Sequence, residues 1–498
     1  MMKRILPLFF LMIANFALAQ NTKNTYRIDV QIKGIKDTTC YLGNYFFTET
    51  AGKFFIQDTA KVDSQGRMTF KKNTPLAGGL YIITVPTRAA YFDVILGDDL
   101  NFSIETDTTD LVGNMKVSGS KDMTLFNSFR KEMSDRYKKI IAVDKTRKSP
   151  TDKEVNEQIK QLQNDVSDFQ QGFFKENQTT FVAKLIKATQ DPILPTALKT
   201  PKTKQDTLDA YNFYKNHYLD NIDFTDERLL RTPYLGNRLK GYMNFGGADV
   251  DTLSKLADNI IGKTVKASKD MRKSIIYFLT NLYESGDEKK MRLMGTEGVF
   301  VHLGRKYYIG EPALWDTSTT RRFQERLATL EQVLIGKTPK NMYPTDSLGR
   351  DMPSLYDVKS KYTILFIYDP DCGHCQKSAP QLVEWQNKTS KYKDLVKVYA
   401  VSGERGDAKF KEWKKFLRTY AKDNRFINGF DTKVRIDFRN WYDAVVYPVK
   451  FILDKDKKIV GRGVEIEDFD GVIELRERIE KEELAAKAKK IVSTAPKK

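Results

Sequence analysis

Apolar and polar positions alternate with a period of two in short runs near the start of the chain, at residues 26–32, 39–46, 68–70, 81–85, 91–96 and 100–104. That period puts successive side chains on opposite faces of an extended strand, so each run predicts a half-buried β-strand. Ser64-Gln65-Gly66 and Gly97-Asp98-Asp99 are turn signals between the runs. The simplest architecture for such a series is an antiparallel β-sandwich. From about residue 121 to 335 the period lengthens to that of a helix, with apolar stripes at Ile140-Ile141-Ala142 and at residues 181–186, 253–261 and 275–282. Pro192, Pro195, Pro201 and Pro233 divide this region into separate helices. A third pattern follows: the continuous apolar run 362–368, then helical spacing with Leu382, Val383 and Trp385, then a strand at Phe451-Ile452-Leu453 ending in the turn Asp454-Lys455-Asp456-Lys457. Residues 474–490 show helical charge pairing, and Ser493-Thr494-Ala495-Pro496 ends it in a solvated tail. No internal repeat of fixed period stands out.

The first residues read as a leader. Lys3 and Arg4 precede an apolar run over residues 5–16 with Asn15 its only polar residue, and Ala17-Leu18-Ala19 offers a small-x-small cleavage site before Gln20. The run is short for a membrane span, and no cysteine follows Ala19 to receive a lipid. A cleaved secretory signal peptide and a periplasmic or otherwise extracytoplasmic protein are expected, with an uncleaved anchor the alternative. Removing 19 of 498 residues leaves 479, too many for a single core and suited to about three domains.

Export permits structural disulfides, yet the chain has only 3 cysteines. Two of them stand in Cys372-Gly373-His374-Cys375, between the 362–368 run and the following helical pattern, so the pair lies at a strand-to-helix junction. Cys372 would sit at the helix start, where unpaired backbone N–H groups and the helix dipole favour a thiolate. His374 would add positive charge beside it, and Cys375, one turn inside, would be the less exposed resolving thiol. Asp369 and Asp371 oppose the Cys372 anion. Haem attachment would need a histidine where Gln376 stands, and a structural zinc site lacks a second Cys or His pair nearby. A peroxidatic cysteine would want a threonine or serine where Asp369 stands. No cofactor and no metal are expected, and a chance Cys-x-x-Cys on a retained fold is the bland alternative. Cys40, in a strand-like segment, reads as a small buried hydrophobe, with a third redox-active thiol the competing role.

These residues carry a resemblance over about residues 335–480 to the thioredoxin-like domains of bacterial envelope thiol–disulfide oxidoreductases. Pro380, eight residues after Cys372, matches the family's kinked first helix, and Tyr447-Pro448-Val449 resembles its cis-proline loop. The resemblance implies that Pro448 faces the Cys372–Cys375 pair and that the Tyr447 backbone pairs with a substrate peptide alongside Gly373. The 76 residues from Cys372 to Pro448 exceed a minimal domain, and an insert with an extra strand and helix is expected near residues 402–440. Three positions depart from the family: Phe366 stands where thioredoxins carry a buried aspartate, Ser378 where many envelope relatives have a glutamate, and Tyr447 where threonine is usual. The proton acceptor for Cys375 is therefore unassigned. The two regions ahead resemble uncharacterised regions that precede such domains, with residues 221–230 carrying much of that likeness. The expected organisation is multidomain: signal peptide 1–19, antiparallel β-sandwich 20–120, α-helical domain 121–334, α/β thioredoxin-like domain 335–480, and a charged C-terminal helix or tail 481–498.

Charge and the remaining chemistry change little. The formal net charge of +18 falls to +16 without Lys3 and Arg4, and it is interspersed with acids, unlike the basic stripe a nucleic-acid partner requires. A hydrated surface is the plain reading, with loose attraction to anionic envelope polymers the sharper one. His217 and His302 have no cysteine or second histidine at ligand spacing, and Asp220 alone lies one turn from His217. Tyr211, Phe213, Tyr214 and Tyr218 suit a buried helix face better than a ligand groove. The function expected is an exported thiol–disulfide oxidoreductase, reducing disulfides of cysteine-containing exported proteins and re-reduced by a thiol–disulfide electron partner, with no integral membrane segment after cleavage. A disulfide oxidase or isomerase, or a binding scaffold with a vestigial redox domain, is the alternative.

Overall fold

The computed structural model describes residues 26–47, 54–85, 90–284, 296–422 and 424–494; the expected signal peptide lies outside them. The chain divides into two compact units, one comprising Met1–Phe245 and Gly262–Ser274, the other Gly246–Ile261 and Ile275–Lys498.

The first unit opens with eight strands: β1 (Tyr26–Lys33), β2 (Thr39–Asn44), β3 (Phe55–Lys61), β4 (Arg67–Lys72), β5 (Gly79–Val85), β6 (Ala90–Leu96), β7 (Asn101–Asp107) and β8 (Lys116–Ser118). They form two four-stranded sheets, ordered β4-β1-β7-β8 and β3-β2-β5-β6. Alternation is clear in β1, where Tyr26, Ile28, Val30 and Ile32 are buried and Arg27 and Lys33 are not. The pairing is antiparallel throughout except between β1 and β7, which are parallel, with Val30 opposite Ile104. The chain leaves β1 for the other sheet and returns to lie beside it in the same direction. β5 is buried along nearly its whole length. A following turn crosses close to its start, since a Cβ on Gly79 would lie 2.5 Å from that of Arg231.

Helices follow: α1 (Lys121–Asp144), α2 (Lys153–Glu176), α3 (Phe181–Ala188), α4 (Lys204–His217) and α5 (Pro233–Met243). Ser120 caps α1 by accepting from the Met123 N–H, and Phe129 packs on Phe169 and Phe173 of α2 at centroid distances of 5.7 and 4.6 Å. The triplet Ile140-Ile141-Ala142 lies outside the core, with Ile141 54% exposed at the far end of α1. Pro233 starts α5 at its first position, where the missing N–H costs nothing. In the 221–230 segment Asp226 caps a short turn, and Lys184 and Arg228 pair with it.

The second unit holds α6 (Val250–Gly262) up to Ile261, most of α7 (Lys269–Glu284), α8 (Glu297–Leu303) and α9 (Thr317–Leu330), then a five-stranded sheet. Phe323 of α9 stacks on Tyr308 and Phe300, tying α9 to α8 and the turn after it. The sheet contains β9 (Tyr362–Tyr368), β10 (Val396–Ser402), β11 (Ile427–Phe430), β12 (Val449–Leu453) and β13 (Ile459–Arg462), in the order β11-β10-β9-β12-β13. β9, β10 and β11 are parallel, and β12 and β13 run against them. Every residue of β9 is buried, as the continuous apolar run requires of a central strand covered on both faces. α10 (Gly373–Glu384) and α11 (Asp407–Tyr420) supply Cys375, Leu382, Trp413 and Phe416 to the core on one face. Residues 402–440 contain α11, β11 and the start of α12 (Phe438–Tyr442). The final helix, α13 (Phe469–Thr494), is docked where Asp470 accepts from Trp385 and Ser390, and Glu477 from Lys361 and Tyr362. Among the described residues no helix is long and apolar enough to cross a membrane.

Candidate functional site

The buried strand β9 delivers the chain into Asp369-Pro370-Asp371 and then into α10, with Cys372 as the residue flanking the helix start. The Cys372 N–H donates to the Asp369 carbonyl at 3.1 Å, and its carbonyl accepts from the Gln376 N–H at 3.0 Å. Cys372 is thus the N-cap of α10, next to the first helical turn, though its side chain makes no capping hydrogen bond. Cys372 is half-buried and Cys375 fully buried, and both are free thiols. Burial pushes the Cys375 thiol well above its ordinary range, and the neighbouring Cys372 side chain adds to the rise.

Opposite lies the loop between α12 and β12. The Tyr447–Pro448 peptide bond is cis. The Cys372 thiol donates to the Tyr447 carbonyl at 3.5 Å, so residues 75 apart in sequence meet at the sulfur. Burial raises the Tyr447 phenol to about 12, and its hydroxyl donates to the Gly403 carbonyl at 3.2 Å. The absence of a side chain at Gly403 makes room for this contact, since a Cβ there would lie 2.3 Å from that hydroxyl. Pro448 is half-buried, whereas Gly373 and His374 are exposed on the first turn of α10. A Cβ at Gly373 would meet no atom within 4 Å, so this residue beside Cys372 faces open space.

Sequence reasoning missed the groups that the fold brings to this junction. Lys409 of α11 pairs with Asp371 at 2.5 Å and Asp369 at 3.4 Å, and those carboxylates raise its own pKa. The two acids expected to oppose a Cys372 thiolate are thus partly neutralised. Tyr368, at the end of β9, shares the core that encloses Cys375; its hydroxyl accepts from the Trp413 indole at 2.8 Å, and its ring stacks on Phe366 and Phe416. Phe366 keeps a carboxylate out of this core, and burial raises the Tyr368 phenol strongly. No periodicity signals these partners, which come from α11 about 40 residues downstream. The remaining histidines lie elsewhere: His217 pairs with Asp220 at 2.7 Å, and His302 with Asp258 at 2.9 Å.

Three family models match the chain. Residues 26–126 match a domain of unknown function, DUF4369, and residues 147–332 another, DUF5106. Residues 360–459, which hold strands β9 to β12, both cysteines of the motif and the cis bond, match the thioredoxin-like model. The C-terminal domain is thioredoxin-like. Solved structures similar to the chain include a thioredoxin-like protein from Bacteroides caccae, 21% identical over 57% of this chain and 98% of its own, with a TM-score of 0.46. A domain of a "possible thiol-disulfide isomerase" from Cytophaga hutchinsonii is 39% identical over 30% of this chain and 96% of its own, at a TM-score of 0.27. The thioredoxin domain of a thiol-disulfide oxidoreductase from Bacteroides vulgatus is 23% identical over 28% of this chain and 95% of its own, at 0.25. No curated protein matches the chain. Within the thioredoxin-like domain, Cys372, Cys375, Tyr447 and Pro448 occupy one junction, with Gly373 and His374 on its open side.

Proposed function

We propose that the protein is an exported thiol–disulfide oxidoreductase that reduces disulfides of cysteine-containing envelope proteins. The observation that carries this reading is the half-buried Cys372 thiol at a helix start, 3.5 Å from the Tyr447 carbonyl before Pro448, with Cys375 buried one turn inside. The Cys372 thiolate attacks one sulfur of a substrate disulfide; that bond breaks, a mixed disulfide forms, and the other substrate sulfur leaves as a thiolate and takes up a proton. Cys375 then loses its proton and attacks Cys372, releasing the second substrate thiol and closing the Cys372–Cys375 disulfide. Two electrons pass to the substrate, and an external dithiol partner restores the pair. Tyr447 and Gly373 frame the extended substrate, Pro448 keeps an N–H donor away from the sulfurs, and His374 supports the attacking anion. Lys3, Arg4 and Ala17-Leu18-Ala19 support export to the periplasm.

The test is a trap. Cys375→Ser should accumulate a mixed disulfide between Cys372 and an envelope protein, identifiable after non-reducing electrophoresis. A wild-type protein that fails to turn over insulin with dithiothreitol, together with a Cys375→Ser variant that captures nothing, sinks the reading. The same trap reads direction: captured partners that accumulate oxidised in cells lacking the protein mark a reductase, and reduced ones an oxidase.

A further inference from the structure

We propose, building on that oxidoreductase reading, that the helical segment ahead of the thioredoxin-like domain is part of its substrate site: Arg326 and Thr329 of α9 are positioning residues that hold Asp443, and Asp443 sets the loop leading to Tyr447. Asp443 ends α12 in the left-handed region at φ 52°, so the chain turns sharply there into Ala444-Val445-Val446-Tyr447-Pro448. Its carboxylate is only 4% exposed. One oxygen accepts from Arg326 and lies 3.2 Å from the Thr329 hydroxyl, whose single proton it shares with the Arg326 carbonyl at 3.0 Å; the other accepts from Arg462 at 2.5 Å. Arg462 reaches on to Glu297 of α8 at 3.2 Å, and those side chains are 15% and 16% exposed. Two guanidinium groups and two carboxylates therefore form a charge-balanced and largely desolvated network. Three of its members, Glu297, Arg326 and Thr329, come from the helical segment.

The network grips the substrate loop where it begins. Arg462 lies on β13 opposite Phe451 of β12, and β12 starts at Val449, directly after Pro448. At the other end of the loop Tyr447 is fixed on Gly403. Between the two anchors Val445 and Val446 are 59% and 72% exposed, without an apolar cover. A loop held at both ends and bare in the middle presents its backbone to a polypeptide in one position. A misplacement of about 1 Å can cost about a hundredfold in rate when the substrate depends on that geometry. A small disulfide reaches Cys372 from the open Gly373 side and does not need the loop.

The two substrate classes provide the test, using the full chain. Arg326→Gln removes the more exposed cation and leaves Arg462 on Asp443, so the fold should persist. kcat/KM for reduction of insulin is expected to fall about tenfold, while the rate with a small aromatic disulfide stays within about twofold. Arg326→Lys should recover most of the loss. Should Arg326→Gln fail to give a cooperative melt, Thr329→Val is read by the same two assays. Insulin kinetics equal to wild type, or a parallel fall with both substrates, overturns the positioning role. A wild-type protein that reduces neither substrate instead overturns the oxidoreductase reading on which the role rests.

Discussion

The strand β2 and the start of α10 hold the same functional group in opposite settings. Cys40 is completely buried in β2, and burial alone pushes its thiol up to about 11. Cys372 is half-buried at a helix start, with a carbonyl at 3.5 Å on one side and open space around Gly373 on the other. Placement, not the sulfur itself, separates a thiol packed in a core from one that the proposed reaction can use as its nucleophile. Cys375 shares the burial of Cys40 but lies one turn from Cys372, as the resolving role in the proposed reaction requires.

The largest effect should come from exchanging these roles by mutation. Cys372→Ser is expected to reduce insulin turnover to the uncatalysed rate, and Cys40→Ser to leave kcat/KM unchanged. Iodoacetamide at neutral pH should label Cys372 first in the reduced wild type, with Cys375 and Cys40 protected until the protein unfolds. Peptide mass mapping that finds Cys375 labelled before Cys372 would reverse the assignment of attacking and resolving thiols.

The contrast also marks what was legible in the sequence. The 362–368 run is short, apolar and β-prone, and helical spacing follows the two cysteines, so the strand-to-helix junction was readable locally. Alternation likewise gave six of the eight strands described in the first unit, but not β3, whose side chains are mostly exposed, nor the three-residue β8. The β1–β7 pairing was not readable, because strand order depends on a crossover through the other sheet rather than on any local pattern. Ile140-Ile141-Ala142 looked like core, but length carries the end of α1 beyond it. Lys409, Trp413 and Asp443 act across gaps of tens of residues, and a charged or aromatic side chain on an amphipathic helix gives no sign of which partner it will meet.

The next largest effect concerns His374. A histidine within the motif is shared with more oxidising thioredoxin-like domains, near roughly −180 mV, against roughly −270 mV for thioredoxin with proline there. That gap corresponds to about 4 kcal/mol. His374→Pro should therefore make the Cys372–Cys375 disulfide less oxidising by up to that amount in a titration against glutathione. Superimposable titration curves would show that the exposed imidazole does not tune the pair.

Cys40 gives a smaller effect with a definite sign. Its folded pKa lies above the unfolded one, so the folded state retains a proton that the unfolded chain loses. The resulting stability is fully present below about pH 8.5 and is lost as pH rises through about 11. In Cys40→Ala this contribution is missing, so the stability gap between wild type and variant should narrow by on the order of 2 kcal/mol from pH 8 to pH 11. Urea midpoints that shift in parallel over that range would remove the burial argument for this thiol.

The smallest effect tests the electrostatics at the reactive end of the comparison. Asp369 and Asp371 stand just before Cys372, and Lys409 from α11 pairs with both. Lys409 is 31% exposed and Asp371 50%, so water screens the pair and its worth is that of a surface ion pair, about 0.2–1 kcal/mol. Lys409→Gln leaves the carboxylates in place and removes the charge that offsets them, which disfavours an anion on Cys372. Alkylation of Cys372 at neutral pH should slow by up to about fivefold, with the melting temperature nearly unchanged. Lys409→Arg keeps the charge and should keep the rate, which separates charge from packing of the side-chain stem on α11. An unchanged rate in Lys409→Gln would mean that solvent already screens the two acids and that the helix start alone governs the sulfur.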